Sequence, residues 1–507
     1  KKVRKKKKKK KHESSTTTCA TTYGAEKPET KSHKWLVLPT VGLRSQKKIN
    51  TNGSRDDRVF ALKEISKERV DDLFLQEVRN EVAILRTLDH PNIVRVYDIF
   101  ETKRAFYLVM EYCKGKDLYA RVPYTEAQVA KIMTKLLSAI VYCHQRKIVH
   151  RDLKMENVMF ESKCPDAEIK LIDFGLSKMY LKPSKSLEMK DIVGTVYTMS
   201  PQVIKKKYTE KADVWACGCI AFILLSNKLP FGGKSRKEVS ENIVKYQWNK
   251  DFEGPEWANV SSDAKKFVSS LLVYDEVDRK SAAQALHSSW LWKTFALESR
   301  RPEDEVMNDV TNALLHSAND GKFKRLAMQV VAYNSPTAEI QRLRSAFDAF
   351  DTNNAGTITY LEFQQALSQS NFSEKDMKTM FESIDVNSTG VINYTEFIAA
   401  TLETRGLIEE ERILAAFDKL DSDNSGYISK ENLCSILGDK CSDKDCDSTV
   451  KELIEGVDTD GDGKISYGEF LVLFRERKKG STKSDGCSPP NESAAGAAFR
   501  CAGGPQK

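Results

Sequence analysis

A twelve-residue pattern returns four times in the C-terminal third of this chain, opening at Asp351, Asp385, Asp421 and Asp458, roughly 35 residues apart. Each copy alternates oxygen-bearing side chains and places a glycine sixth: Gly356, Gly390, Gly426 and Gly463. Glycine allows a sharp backbone turn that other residues resist, and oxygens at positions 1, 3, 5, 7 and 12 are what a hard divalent cation requires. Repetition at this period means that one helix–loop–helix unit recurs, each copy burying its apolar face on a neighbour. A single such match is cheap, but four at regular spacing are not.

The pattern is that of EF-hand loops, and calcium is the ion it suits. The second loop, 385–396, meets every demand with Asp385, Asn387, Thr389, the Val391 carbonyl and Glu396. The fourth, 458–469, is the most acidic, with Asp458, Asp460, Asp462, the Lys464 carbonyl and Glu469. The other two depart from the pattern. In 351–362, Asp351, Asn353, the Thr357 carbonyl and Glu362 are kept, but Ala355 brings no oxygen at position 5 and a water is expected to stand in. In 421–432, Asp421, Asp423, Ser425 and the Tyr427 carbonyl are kept, but Asn432 replaces the bidentate Glu, and the neighbouring Glu431 points elsewhere on the exiting helix. The third loop is therefore expected to bind most weakly. Ile392 and Ile465, at position 8, should pair the loops through short ladders, first with second and third with fourth, giving a two-lobed module over 336–477.

A chain of 507 residues is too long for one core. Upstream of the repeats, 35–293 mixes strand and helix periodicities and reads as one α and β domain, and 294–335 reads as a helical junction in which Phe323, Leu326 and Val330 recur at helical spacing among Lys322, Lys324 and Arg325. Residues 1–34 and 478–507 lack the apolar content to fold and read as disordered tails. The formal charge of +8 suggests nucleic-acid binding until it is located. Ten basic residues lie in Lys1–Lys11, and without them 70 basic residues face 72 acidic ones, so the body of the protein is not a nucleic-acid binder by charge. The Lys run is readable as a solvated tail, a nuclear signal or a peripheral contact with anionic lipid. Eleven cysteines without a CxxC pair, and no secretory signal, point to reduced thiols and a cytoplasmic setting. No apolar run reaches the ~18 residues of a transmembrane span.

The chemistry lies in 35–293. His150-Arg151-Asp152-Leu153-Lys154-Met155-Glu156-Asn157 reads as a protein-kinase catalytic loop, followed at the expected interval by Asp173-Phe174-Gly175. Phosphoryl transfer asks the protein mainly to position and neutralise. Asp152 is the candidate to accept the substrate hydroxyl proton and Lys154 to stabilise the moving phosphoryl group, while Asn157 and Asp173 are candidates to hold Mg²⁺. Lys63 in Phe60-Ala61-Leu62-Lys63 fits the strand lysine on the ATP phosphates, with Glu81 as its partner on the next helix. Gly194-Thr195 opens the substrate-docking end of the activation segment, and Asp213-Val214-Trp215 heads a core helix.

With these motifs in this order, the span from about 35 to 477 resembles the calcium-dependent protein kinases of plants and alveolates. That likeness implies an α+β multidomain chain: a bilobal protein kinase fold, then a junction helix and an all-α calmodulin-like domain of four EF-hands. It implies ATP, Mg²⁺ and Ca²⁺ as cofactors and protein substrates phosphorylated on Ser or Thr. It also implies a junction that blocks the kinase at rest and is drawn away by calcium-loaded EF-hands, which agrees with an amphipathic basic helix beside a calcium-opened groove. Met110 matches the gatekeeper of the adenine pocket, with Glu111 and Cys113 following along it. Asp117 and Glu156 match positions that contact a basic residue upstream of the target hydroxyl.

Three positions break the pattern. No G-x-G-x-x-G covers the phosphates, since Trp35–Arg58 holds only Gly42 and Gly53. Gln202 stands where a Glu would pair with Arg279, leaving at best a neutral hydrogen bond, and Met155 replaces a Pro. A divergent or mispredicted N-terminal exon, a weak kinase and a calcium-responsive pseudokinase scaffold all remain open at this point. Glu188 is placed to supply the negative charge that Arg151 would otherwise seek from a phosphate.

Overall fold

The computed structural model describes residues 33–39, 59–67, 72–179, 194–298, 304–368, 370, 372–402, 408, 410–437 and 450–475. The Lys run, the segment 40–58 in which a phosphate lid was sought, Glu188 and the C-terminal tail lie outside them.

The first domain opens with a four-stranded antiparallel sheet, formed by β1 (His33–Pro39), β2 (Val59–Ser66), β3 (Val96–Glu101) and β4 (Ala105–Glu111), in the order β1-β2-β4-β3. Val, Ile and aromatic residues dominate the inner strands, as a pleated half-buried surface favours. The register sets Lys63 opposite Leu108 and Ala61 opposite Met110. Helix α1 (Asp72–Thr87) buries Val78, Glu81, Ile84 and Leu85 along one face, so the period that makes it amphipathic also aims Glu81 at the sheet.

The larger lobe is helical. Its central helix α2 (Glu126–Gln145) starts at a capping box between Thr125 and Gln128 and buries Val129, Met133, Leu136, Leu137 and Ile140. The helix Lys211–Ser226 is apolar all round and buried all round, with Trp215 stacked on Phe231 at 5.4 Å between centroids. No described helix is long and apolar enough to cross a membrane.

The junction is two helices, Asp304–Ala318 and Lys322–Asn334, and each is inside the EF-hand region. Val310 and Leu314 join the apolar core of the first EF-hand pair, and Phe323, Leu326, Ala327 and Val331 join that of the second. Phe323 meets Phe470 edge to face at 6.0 Å. Within the pairs, Ile358 stands opposite Ile392 and Ile428 opposite Ile465 in two short antiparallel ladders.

The EF-hand region lies against the first domain. Arg95 donates to the Tyr333 and Ser335 carbonyls, Lys419 to Asp98 and the Tyr97 carbonyl, and Thr337 to Glu111. Arg344 meets Glu168 at 3.2 Å, and Glu168 also accepts from Lys135. Burial raises the Glu168 carboxyl, but Arg344 and Lys135 outweigh it and hold it at about 2, below its ordinary 4.5. A depressed carboxyl contributes stability above its unfolded value that is lost as pH falls through the folded one. Glu168→Gln is expected to cost about 2 kcal/mol at pH 7 and to converge on the parent as pH falls from about 4.5 toward 2, read from melting temperature against pH.

Candidate functional site

Strand β2 and helix α1 bring Lys63 and Glu81 together, both 3% exposed, with Nζ to Oε1 at 2.7 Å. Lys63 Nζ also reaches Asp173 Oδ1 at 2.8 Å. Burial raises the Asp173 carboxyl, but Lys63 beside it prevails and holds it at about 2. Charge-assisted bonds of this length keep all three side chains aligned. Gly175 suits the turn beyond, since a Cβ there would approach Asp173 Oδ1 to 3.3 Å.

Asp152 is held from three sides. Lys154 Nζ donates to Oδ2 at 2.6 Å, Asn157 Nδ2 to Oδ2 at 3.2 Å and to the Asp152 carbonyl at 2.9 Å, and the Thr195 hydroxyl to Oδ1 at 2.8 Å. The loop owes its shape to Asp213, buried at the start of the helix Lys211–Ser226, which accepts the backbone N–H groups of His150 and Arg151, each at 2.9 Å, and His144 Nε2 at 2.9 Å. Arg151 and Asp173 both adopt positive φ, 68° and 62°, a conformation that persists only where surrounding bonds impose it. Gly194 must be glycine: its φ is 101°, and a Cβ there would lie 2.5 Å from the Arg151 carbonyl.

The four loops share one internal scheme. The first Asp of each accepts the N–H groups of positions 5 and 6 in loops one to three, as Asp385 does from Thr389 at 2.9 Å and Gly390 at 2.8 Å, and Asp458 accepts from Gly461 and Gly463 in the fourth. The twelfth residue reaches back across the loop: Glu362 to the Asn353 N–H, Glu396 to Asn387, Glu469 to Thr459. Asn432 makes the same span as a neutral amide: it accepts the Ser429 N–H and donates to the Ser422 hydroxyl at the second position, at 3.0 Å, and so brings one uncharged oxygen where the other loops bring a carboxylate. In the fourth loop one carboxylate oxygen from each of Asp458, Asp460 and Asp462 lies within 4.8 Å of the others, an all-oxygen set that fits Ca²⁺.

A protein kinase domain family matches residues 49–291, and an EF-hand domain pair matches 340–402 and 410–475. Calcium-dependent protein kinase 9 of Arabidopsis thaliana is 36% identical over 429 residues, which cover 82% of this chain and 76% of the relative. Calcium-dependent protein kinase 29 of the same plant is 36% identical over 467 residues, 89% and 83% of the two chains. The chain belongs to the calcium-dependent protein kinase family.

Two positions singled out in the sequence of this kinase acquire a structural reading. Gln202 accepts from Arg279 Nη2 at 2.8 Å and donates to the Tyr274 carbonyl at 2.5 Å, a second bond that a carboxylate would turn into repulsion. Arg279 also donates to the Val273 and Lys211 carbonyls and lies over the Trp215 ring. Burial pulls its guanidinium down to about 10, against Glu276 nearby. Gln202→Ala removes the amide between Arg279 Nη2 and the Tyr274 carbonyl, leaves those two only their own 3.4 Å contact, and is expected to cost about 1–2 kcal/mol, a fall of roughly 3–6 °C in melting temperature by calorimetry; a melting curve matching the parent would contradict this.

Glu111 is the second. Its carboxylate turns from the adenine side to Lys170 at 3.1 Å and the Arg95 N–H at 3.4 Å, and takes the Thr337 hydroxyl from the EF-hand region. Any role at the nucleotide falls to its backbone. Met110 and Cys113 are buried beside it. Asp117 accepts the Ala120 N–H at 2.8 Å, and Glu156 the Tyr197 hydroxyl at 2.5 Å. Sequence reasoning missed the polar residues that join the two regions, among them Asp89, Arg95, Arg146 and Arg344. The one local signal was Arg344 itself, a charge on the inward face of its helix, 3% exposed.

Proposed function

We propose that this kinase transfers the ATP γ-phosphoryl group to Ser or Thr hydroxyls of protein substrates and that calcium binding to its EF-hands switches the activity on. The observation that carries the reading is the Asp152 carboxylate, fixed by Lys154, Asn157 and Thr195 while Lys63, Glu81 and Asp173 are already joined. Asp152 accepts the substrate proton as the bond to phosphorus forms. Lys154, 2.6 Å away, offsets charge on the transferring group, and Lys63 neutralises phosphate oxygens. Asn157 and Asp173 are the residues that would hold Mg²⁺, which supplies further neutralisation when bound. A scaffold without catalysis would have no use for this set.

The junction supplies the switch. Its helices bury Val310, Leu314, Phe323 and Leu326 in the EF-hand cores, the arrangement of a target helix held by an opened groove. Without calcium that groove closes, and the released helices block the catalytic cleft. A basic residue upstream of the target hydroxyl is read by Asp117 and Glu156.

The test is phosphate transfer from Mg·ATP to a Ser peptide with an upstream Arg, in excess calcium and in chelator. Transfer in calcium alone is expected. Equal transfer in chelator removes the switch, and none in either condition favours the scaffold. A peptide with that Arg replaced by Ala should react more slowly; equal turnover removes the role of Asp117 and Glu156.

A further inference from the structure

At its sixth position the first EF-hand loop meets the kinase domain, and the other three loops at that position do not. At Gly390, Gly426 and Gly463 no atom lies within 4 Å of where a Cβ would stand, whereas at Gly356, the same loop position, that Cβ would be 2.0 Å from His90 Cδ2 and 2.2 Å from Nε2. Ala355, at the fifth position, is 8% exposed and packs into the apolar core of the kinase domain. Its counterparts Thr389, Ser425 and Asp462 are exposed. The departure that looks in the sequence like a lost calcium ligand is a packing contact.

His90 is a surface here and not a substitute ligand. Its Nδ1 accepts the Asn92 N–H at 2.9 Å, so the proton sits on Nε2, which donates to Ser138 Oγ at 3.0 Å. No lone pair is left for an ion, and the ring edge faces Gly356. The second loop, tied to the first through the Ile358 and Ile392 ladder, contacts the same patch. Thr395 gives its N–H and hydroxyl to Asp89 at 2.9 and 2.7 Å, and Asn393 accepts from Arg146 at 2.9 Å. Asp89 and His90 follow α1, the helix that carries Glu81, after the single residue Leu88.

We propose that Ala355 and Gly356 of the first loop, with Asn393 and Thr395 of the second, form a docking surface for the Asp89–His90 turn and Arg146 of the kinase domain. The first loop has exchanged the calcium ligand of its fifth position for this contact, and calcium reaches the catalytic helix through it. The inference rests on the calcium-activated reading and specifies its regulation. A ligand side chain at position 355 has to displace the kinase domain, so restoring the consensus of the loop breaks the dock.

The test is amide hydrogen exchange over 88–94 in the full chain, with excess calcium and with chelator. The parent is expected to slow at least about tenfold on calcium addition, and Ala355→Asp to lose that slowing while binding no less calcium by equilibrium dialysis. Thr395→Val, which leaves both loops' ligands intact, is expected to lose part of it. Calcium-dependent slowing kept in full by Ala355→Asp overturns the proposal, as does a turn whose exchange ignores calcium in the parent. Failure of phosphate transfer alone would count against the kinase reading and leave the exchange result to judge the dock.

Discussion

Asp152→Asn is expected to lower the turnover of peptide phosphorylation by about 10²- to 10⁴-fold while ATP affinity and calcium binding stay within a few-fold. The substitution keeps size and hydrogen-bonding capacity but removes the charge that draws Lys154 to 2.6 Å and orients Thr195 and Asn157. On the proposed mechanism the nucleotide's ground-state contacts fall to Lys63 and Asp173, so the loss belongs in kcat. Quench-flow or steady-state transfer at saturating ATP, beside nucleotide titration of the same variant, separates the two. Turnover within threefold of the parent would remove Asp152 from the proton-accepting role.

Glu469→Gln is expected to raise the calcium concentration for half-maximal activation by about 10- to 100-fold. The fourth loop brings four carboxylates, three of them with oxygens within 4.8 Å of one another, and loses both a charge and the two-oxygen grip of Glu469. The effect spreads because the third loop depends on its neighbour. Asn432 brings a single neutral oxygen, which already accepts the Ser429 N–H, and the Ile428 and Ile465 ladder transmits order from the stronger loop to the weaker. The second lobe also encloses Phe323 and Leu326 of the junction, so on the proposed switch weakening it releases that segment. Asn432→Glu should move the midpoint the other way. Calcium titration of peptide phosphorylation reads both variants, and an unchanged midpoint in Glu469→Gln would exclude the fourth loop from the switch.

Much of this protein could be read without coordinates because its chemistry is local. An EF-hand loop assembles its ligands within twelve residues, and Asp152, Lys154 and Asn157 lie within one short loop, so the match to the kinase motif implied their roles. The same holds for Lys63 and Glu81, where strand register and helix period turn two separated motifs toward each other. The junction was legible as amphipathic helix, although its division into two helices, the second of them packed into both lobes, was not, since both faces looked alike in composition.

What the chain's order of residues determined, then, is the identity of each reacting and ligating group, because those depend on contacts between near neighbours. What only the tertiary structure decided is how the calcium module meets the kinase. Gly356 against His90, Thr395 on Asp89 and Arg344 on Glu168 join residues 176 to 306 positions apart. Ala355 looked like a defect and Gln202 like a broken ion pair, because each was compared with its local motif. Packing around them gives both their place: a small apolar side chain closes an interface from which water is excluded, and a neutral amide satisfies a cation and a carbonyl at once.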